Sequence, residues 1–292
     1  MKLNYLFKEN KPVLSFEIFP PKKQGDWLPE IYDTIDALAP LGPDFISVTY
    51  GASGSSQSNT VEIASLLQKK YSIPSLAHLT CVGDTDDMIT NVLTRLKDEG
   101  IQNILALRGD LVGDNKLGDF KYASELTEFI KNYSDFCVAG ACYPEVHPDA
   151  PNLEEDIKNL KIKADAGAEF FITQLFFDNA TFYEWRNKVR EAGITTPIVA
   201  GVMPITSAQQ LKRMATLCGA TIPENVKTLV EAYEHNAYAL RQVGIAYATQ
   251  QILDLLANGV DGIHLYTMNK PHITKQIMDN IRGPLYSLKG KN

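Results

Sequence analysis

Leu14-Ser15-Phe16-Glu17-Ile18-Phe19-Pro20-Pro21 is the stretch on which the fold turns. Its side chains alternate with the period of two that marks a strand, so Ser15, Glu17 and Phe19 share one face. Pro20-Pro21 forces a rigid exit, because proline fixes its own backbone and drives the residue before it into an extended conformation. No G-x-G-x-x-G fingerprint follows, which makes an open doubly wound sheet the weaker reading.

The same unit, a short β-prone apolar run and then an amphipathic helical stretch, recurs along the chain. Strands are predicted near 13–19, 44–50, 75–81, 102–108, 136–142, 169–174, 197–202 and 261–266. Helical patterns run from Asp26 to Ala39, Asn59 to Tyr71, Thr85 to Glu99, Phe120 to Tyr133, Leu153 to Ala166, Ala180 to Ala192 and Ser207 to Leu217. An additional helical region, Glu224 to Asn258, lengthens the interval between strands seven and eight, and Lys270 to Ile281 supplies the closing helix. Each crossover is long enough to join parallel strands. The expected architecture is α/β: a single (β/α)8 TIM barrel over residues 1–292, with an extra helical insertion between strands 7 and 8.

Composition narrows the function classes. The 292 residues are 45% hydrophobic and 22% charged, enough to bury a large core. A net charge of −7 argues against a broad nucleic-acid or anionic-membrane surface and favours small-molecule partners. The N-terminus lacks the apolar run of a signal peptide, and no segment approaches the roughly 18 uninterrupted apolar residues of a membrane span. Cys81, Cys137, Cys142 and Cys218 contain no C-x-x-C pair, and none of the five histidines shows zinc-ligand spacing with another ligand. Buried free thiols in a reducing cytoplasm, and no metal, are expected.

Catalytic groups of a barrel gather at strand C-termini and in the loops after them. Glu17 and Thr49 sit near the ends of strands one and two, His78 near that of three, and Arg108-Gly109-Asp110 follows strand four. Tyr143, Gln174 and Tyr266 end strands five, six and eight. An inward carboxyl at Glu17 would have its pKa raised by desolvation and could protonate a substrate nitrogen; equally, it could be a structural Glu paired with an inward Lys or Arg. Asp110 could bind adjacent donors on a heterocycle, cap the next segment or pair with Arg108, while Gly109 permits close backbone approach. The glycines of the loop from Gly109 to Gly118 lack Walker spacing. His78 is either a cofactor contact or a satisfied strand histidine. Tyr143 and His147 lie in Tyr143-Pro144-Glu145-Val146-His147-Pro148, which suits an adenine or ribose contact or an ordinary loop. Asp156, Asn159 and Lys163, spaced three and four apart, share a helical face that is either solvated or turned toward a phosphate. The carboxamide of Gln174 suits a pterin or nicotinamide edge, or bonds the neighbouring backbone.

The ordered series of motifs resembles the bacterial methylenetetrahydrofolate reductases over nearly the whole chain. It comprises Ser15-Phe16-Glu17-Ile18-Phe19-Pro20-Pro21, Val48-Thr49-Tyr50-Gly51-Ala52, His78-Leu79-Thr80-Cys81, Leu107-Arg108-Gly109-Asp110, Tyr143 to Pro148, Gly167-Ala168 through Gln174, and Tyr266-Thr267-Met268-Asn269. The resemblance implies non-covalent FAD at the C-terminal face of the barrel, NADH or NADPH as donor, and hydride transfer through FAD to 5,10-methylenetetrahydrofolate in two half-reactions at one site. It implies that Glu17 is the acid that opens the folate ring, that Asp110 lies near flavin and pterin, and that Gln174 contacts substrate. Thr49, His78, Arg108, Gly109, Tyr143, His147, Asp156, Asn159 and Lys163 match positions that hold FAD. A cytoplasmic homo-oligomer is expected from the same likeness.

Two positions depart from the pattern. Lys270 stands where relatives often have Arg, which would weaken a folate carboxylate contact, and Ala208 where some relatives have an aromatic residue. The chain ends at Asn292, so neither the long C-terminal regulatory domain of eukaryotic relatives nor inhibition by S-adenosylmethionine is expected. Two other readings are a different flavin barrel, such as a proline-oxidising dehydrogenase, and a non-catalytic folate- or flavin-binding subunit.

Overall fold

The computed structural model describes residues 1–20, 28–50, 54–110 and 118–290, with the backbone alone for 54–58. Among them, strands β1 (Val13–Ile18), β2 (Phe45–Val48), β3 (Ser75–Thr80), β4 (Asn103–Leu107), β5 (Cys137–Cys142), β6 (Phe170–Thr173), β7 (Ile198–Val202) and β8 (Gly262–Tyr266) form a closed parallel barrel in chain order. β1 pairs with β2 and, at the seam, with β8. The helices between them are α1 (Leu28–Leu38), α2 (Gly54–Tyr71), α3 (Asp86–Asp98), α4 (Ala123–Tyr133), α5 (Leu153–Asp165) and α6 (Asn179–Glu191). Then come α7 (Ala208–Cys218), α8 (Glu224–Tyr233) and α9 (Ala237–Ala257) before β8, and α10 (Pro271–Leu288) after it. The barrel expected from the sequence is the barrel observed.

Local chemistry explains the element ends. Asn152, Asp178 and Ser207 cap α5, α6 and α7 by accepting backbone N–H groups that the first helical turn leaves unpaired. In α1, Ile31, Thr34, Ile35 and Leu38 are buried at the i, i+3, i+4, i+7 spacing of a helix laid on a sheet. Asp26, Pro21, Gly51, Ala52 and most of the loop from Gly109 to Gly118 lie outside the described residues.

Three details differ from expectation. The region Glu224 to Asn258 is two helices, and α9 packs against α6, α10 and β7, the place of the barrel's own seventh helix. α7 and α8 are therefore the added pair, and they enclose a separate apolar cluster with Leu175, Phe177, Met203 and Ile205 above the ends of β6 and β7. α10 runs past Gly283-Pro284 because Leu285 continues the buried stripe of Ile277 and Ile281, and Lys289 then pairs with Asp44. Finally, a 3-10 helix, Leu3–Glu9, plugs the N-terminal mouth of the barrel. Leu3, Leu6 and Phe7 pack on Phe45, Leu76, Leu105 and Phe170, and Asn103 holds the plug by accepting from Leu3 N (2.8 Å) and donating to Met1 O (3.1 Å).

Candidate active site

Strand register sets the inward face of the other half of the barrel. Ser15 is opposite His264, and Glu17 is flanked by Ser47 and Tyr266. Because side chains alternate, Ser15, Glu17, Ser47, His78 and His264 project into one interior layer, and all five are buried. A carboxyl oxygen of Glu17 lies 3.5 Å from Nε2 of His78, 3.5 Å from Nε2 of His264 and 3.5 Å from Ser47 Oγ. Neither imidazole Nε2 has a hydrogen-bond partner among the described residues. Of the two readings of Glu17, pairing with an inward Lys or Arg is not what forms among the described residues; its neighbours are two imidazoles and a hydroxyl. Burial, opposed by the charge of Glu17, brings the His78 pKa down to about 4, so His78 is neutral at physiological pH. His264 is fully buried, and its Nδ1 lies 2.8 Å from Ser15 Oγ.

The backbone around Glu17 is clamped by the loop after β8. Thr267 Oγ1 donates to Glu17 O (2.5 Å), while Asn269 accepts from Phe19 N (2.9 Å) and donates to Phe19 O (2.8 Å). Met268 and Asn269 hold left-handed backbone conformations, φ 51° each, to make that turn. Tyr266 donates to Thr173 O (2.7 Å), and its ring lies where a Cβ on Gly201 would come within 2.8 Å of it. Glycine is thus required at 201 for close approach.

The residues matched to FAD positions separate into those drawn together and those that are not. Tyr143 and His147 meet edge to face at 4.5 Å. His147 Nδ1 accepts from Asp149 N (3.0 Å), so its Nε2 carries the ring proton, and Asp156 accepts the backbone N–H of His147 (3.0 Å). Lys163 turns inward from α5 to donate to Ala141 O, and burial lowers its pKa. Asn159, on the same helix, is exposed. Arg108 pairs with Asp149 at 2.6 Å rather than with Asp110, which is exposed. Gly109, at φ 90°, is needed because a Cβ there would lie 2.7 Å from Val82, a local reason for glycine independent of any ligand. Thr49 follows β2, with its N–H bonded to Ile18 O at 3.1 Å. Gln174 Oε1 accepts the N–H of Leu175 (2.8 Å), so its carbonyl serves the neighbouring backbone. Lys270 donates to Thr206 Oγ1 (3.0 Å).

Sequence reasoning missed His264, Ser47, Thr267 and Cys218 as site residues. His264 could have been found by counting back two from Tyr266 along its strand. Cys218 ends α7, and burial pushes its thiol up to about 11. All four cysteines are buried and free.

Comparison with known proteins gives this arrangement a lineage. The family model for methylenetetrahydrofolate reductase matches residues 2–282. A probable methylenetetrahydrofolate reductase (NADH) of Oryza sativa is 37% identical over 96% of this chain, and the match spans 50% of the rice protein. The chain thus spans about half the length of that relative. The 5,10-methylenetetrahydrofolate reductase of Escherichia coli is 34% identical over 90% of this chain and 88% of its own. In fold, the chain is similar to an uncharacterized protein from Clostridium thermocellum described as binding two copies of 5-methyl-5,6,7,8-tetrahydrofolic acid. That similarity has a TM-score of 0.63 at 14% identity and covers 97% of this chain and 99% of the other. The chain belongs to the methylenetetrahydrofolate reductase family.

Proposed function

We propose that the chain reduces 5,10-methylenetetrahydrofolate to 5-methyltetrahydrofolate, using FAD and a reduced nicotinamide. The observation that carries this reading is a buried carboxyl, Glu17, set among His78, His264 and Ser47 with no Lys or Arg paired to it among the described residues. Such a carboxyl can hold a proton for a substrate nitrogen and is not committed to an ion pair. Proton donation opens the folate's five-membered ring to an iminium, turning a poor hydride acceptor into a good one. Thr267 and Asn269 fix the strand end that carries this acid, so its position relative to a bound ring is set before substrate arrives.

The residues after β4 and β5 fit an elongated anionic cofactor. Lys163 has no carboxylate within ion-pair distance among the described residues, His147 offers an Nε2 donor, and Tyr143 offers an aromatic edge. Arg108 is held by the exposed Asp149, a partner that a phosphate can displace. When bound, FAD supplies hydride transfer between nicotinamide and folate. Asp110 at the mouth is assigned to the pterin and flavin edge, and Gln174, with its carbonyl on Leu175, has an amide with no partner among the described residues, able to donate to substrate. NADH is the first donor to try, since the rice relative bears it in its name.

The test is anaerobic. Flavin absorbance of the FAD-loaded protein is followed after NADH and then after 5,10-methylenetetrahydrofolate. Bleaching followed by recovery is the expected result; bleaching without recovery points to another acceptor, and no bound flavin overturns the proposal.

A further inference from the structure

The loop after β5 holds an anion against the loop after β4. That loop is pinned from several sides. Val146 N donates to Tyr143 O (3.4 Å) and Ala150 N to His147 O (2.9 Å), closing two successive turns. Asp156 of α5 accepts the N–H of His147 (3.0 Å), and Glu145 accepts the N–H of Thr221, beyond α7 (2.8 Å). Between those two anchors Val146 sits at φ 78°, a conformation that a β-branched residue keeps only where its surroundings hold it there. Asp149 is thus presented from a constrained turn, with its own N–H on His147 Nδ1 (3.0 Å).

Arg108 comes from the neighbouring strand end. Its carbonyl accepts from Val82 N (2.8 Å), which fixes its backbone, and its Nε donates to Gly109 O (3.2 Å). The rest of the guanidinium crosses to the β5 loop, where Nη2 meets Asp149 Oδ2 at 2.6 Å. The two acids of this corner are held differently. Asp156 is committed to a backbone N–H, whereas the Asp149 carboxylate is exposed and has Arg108 as its one partner among the described residues. Arg108 holds the Asp149 carboxyl below the usual carboxylate range, so it is charged at neutral pH. An exposed pair of this kind contributes little and breaks readily, while a diphosphate offers an arginine two parallel charge-assisted bonds.

Resting on the proposed use of FAD, we infer that Asp149 is a displaceable counter-ion, which holds the Arg108 fork in place and yields it to the cofactor's pyrophosphate. Asp149 thereby weakens FAD binding, through the ion pair that has to break and through repulsion between the freed carboxylate and the incoming phosphates. The charge of the side chain carries the effect, since the N–H on His147 belongs to the backbone and survives a side-chain substitution. Asp149 then sets how readily the flavin leaves.

The experiment dilutes FAD-loaded protein and reads flavin release from the recovery of its fluorescence, which gives Kd without turnover. Asp149→Asn is expected to bind FAD at least about threefold more tightly than the wild type, the scale of one exposed ion pair. The sign is decisive, because a residue that merely supports the loop would weaken binding when replaced. ADP, which carries the diphosphate and no flavin, is expected to gain by a similar factor when it competes with FAD. In an Arg108→Gln background the gain from Asp149→Asn is expected to fall below about 1.5-fold, since there is no fork to release. Equal or weaker FAD binding by Asp149→Asn overturns the inference. So does a gain that spares ADP or that persists in Arg108→Gln. If the wild type binds no FAD, the proposed reaction itself fails; if it binds FAD and Asp149→Asn does not bind it more tightly, the counter-ion inference alone fails.

Discussion

The two ends of this barrel are filled by opposite chemistry. Toward the N-terminal mouth the interior is mainly apolar, with Asn103 tying the plug: Phe170 touches Phe7 of the plug at 5.1 Å and Phe45 at 6.0 Å between ring centroids, with Leu76 and Leu105 around them. Toward the C-terminal mouth the interior layer is Ser15, Glu17, Ser47, His78 and His264, with two imidazole nitrogens unpartnered among the described residues. Buried polar groups without partners cost stability, whereas packed aromatic rings supply it. The contrast assigns stability to one end and chemistry to the other, the division of labour general to this fold.

Breaking the apolar end has the largest expected effect on folding. Phe170→Ala removes a fully buried ring and is expected to cost about 3–5 kcal/mol in chemical denaturation. Folate turnover per folded molecule is expected to persist; a Phe170→Ala protein of normal stability but lost turnover would erase the distinction between the ends.

The polar end responds to acid instead. His78 is neutral in the fold down to about pH 4, but an unfolded histidine takes up its proton near 6.5. Its depressed pKa means that the unfolded chain binds more protons between those values. Stability is thus fully present above about pH 6.5 and lost as the pH falls toward 4, with a slope approaching about 1.4 kcal/mol per pH unit from this one group. His78→Gln is expected to flatten that part of the profile in urea titrations across the range. An unchanged slope would place the acid sensitivity elsewhere.

The smallest effect on folding is expected at the clamp. Thr267→Val removes the hydroxyl that donates to Glu17 O and should cost about 1 kcal/mol. Its effect on folate reduction should be larger than its effect on flavin reduction, because only the former uses the acid that the clamp positions. Equal effects in rapid-mixing measurements would mean that the loop merely supports the fold.

Much of this was legible in sequence, because period-two runs and helical stripes are local signals. All eight strands and the inward face of Glu17 follow from them. The helix after Lys270 ran longer than expected because tertiary burial of Leu285 outweighed the local stop in Gly283-Pro284. The role of α9 in the outer ring, and α7–α8 as the added pair, is hidden because helical patterning marks each as a helix and only packing tells which lies on the barrel. His264 was missed for a related reason: its meaning comes from register across the β1–β8 seam, which joins residues 249 apart in the chain. Spacing puts Asp156, Asn159 and Lys163 on one helical face, but Asn159 is exposed, and the targets of the other two, His147 N and Ala141 O, belong to other elements and carry no pattern in the helix itself.

Glu17 is expected to act as an acid in one half of the reaction only. Glu17→Gln, loaded with FAD, separates the halves by anaerobic rapid mixing. Flavin bleaching by NADH at close to the wild-type rate, with reoxidation by 5,10-methylenetetrahydrofolate slowed by at least about a hundredfold, is the expected result. Reoxidation at the wild-type rate would contradict it, and the buried carboxyl between His78 and His264 would then be a structural feature of the barrel.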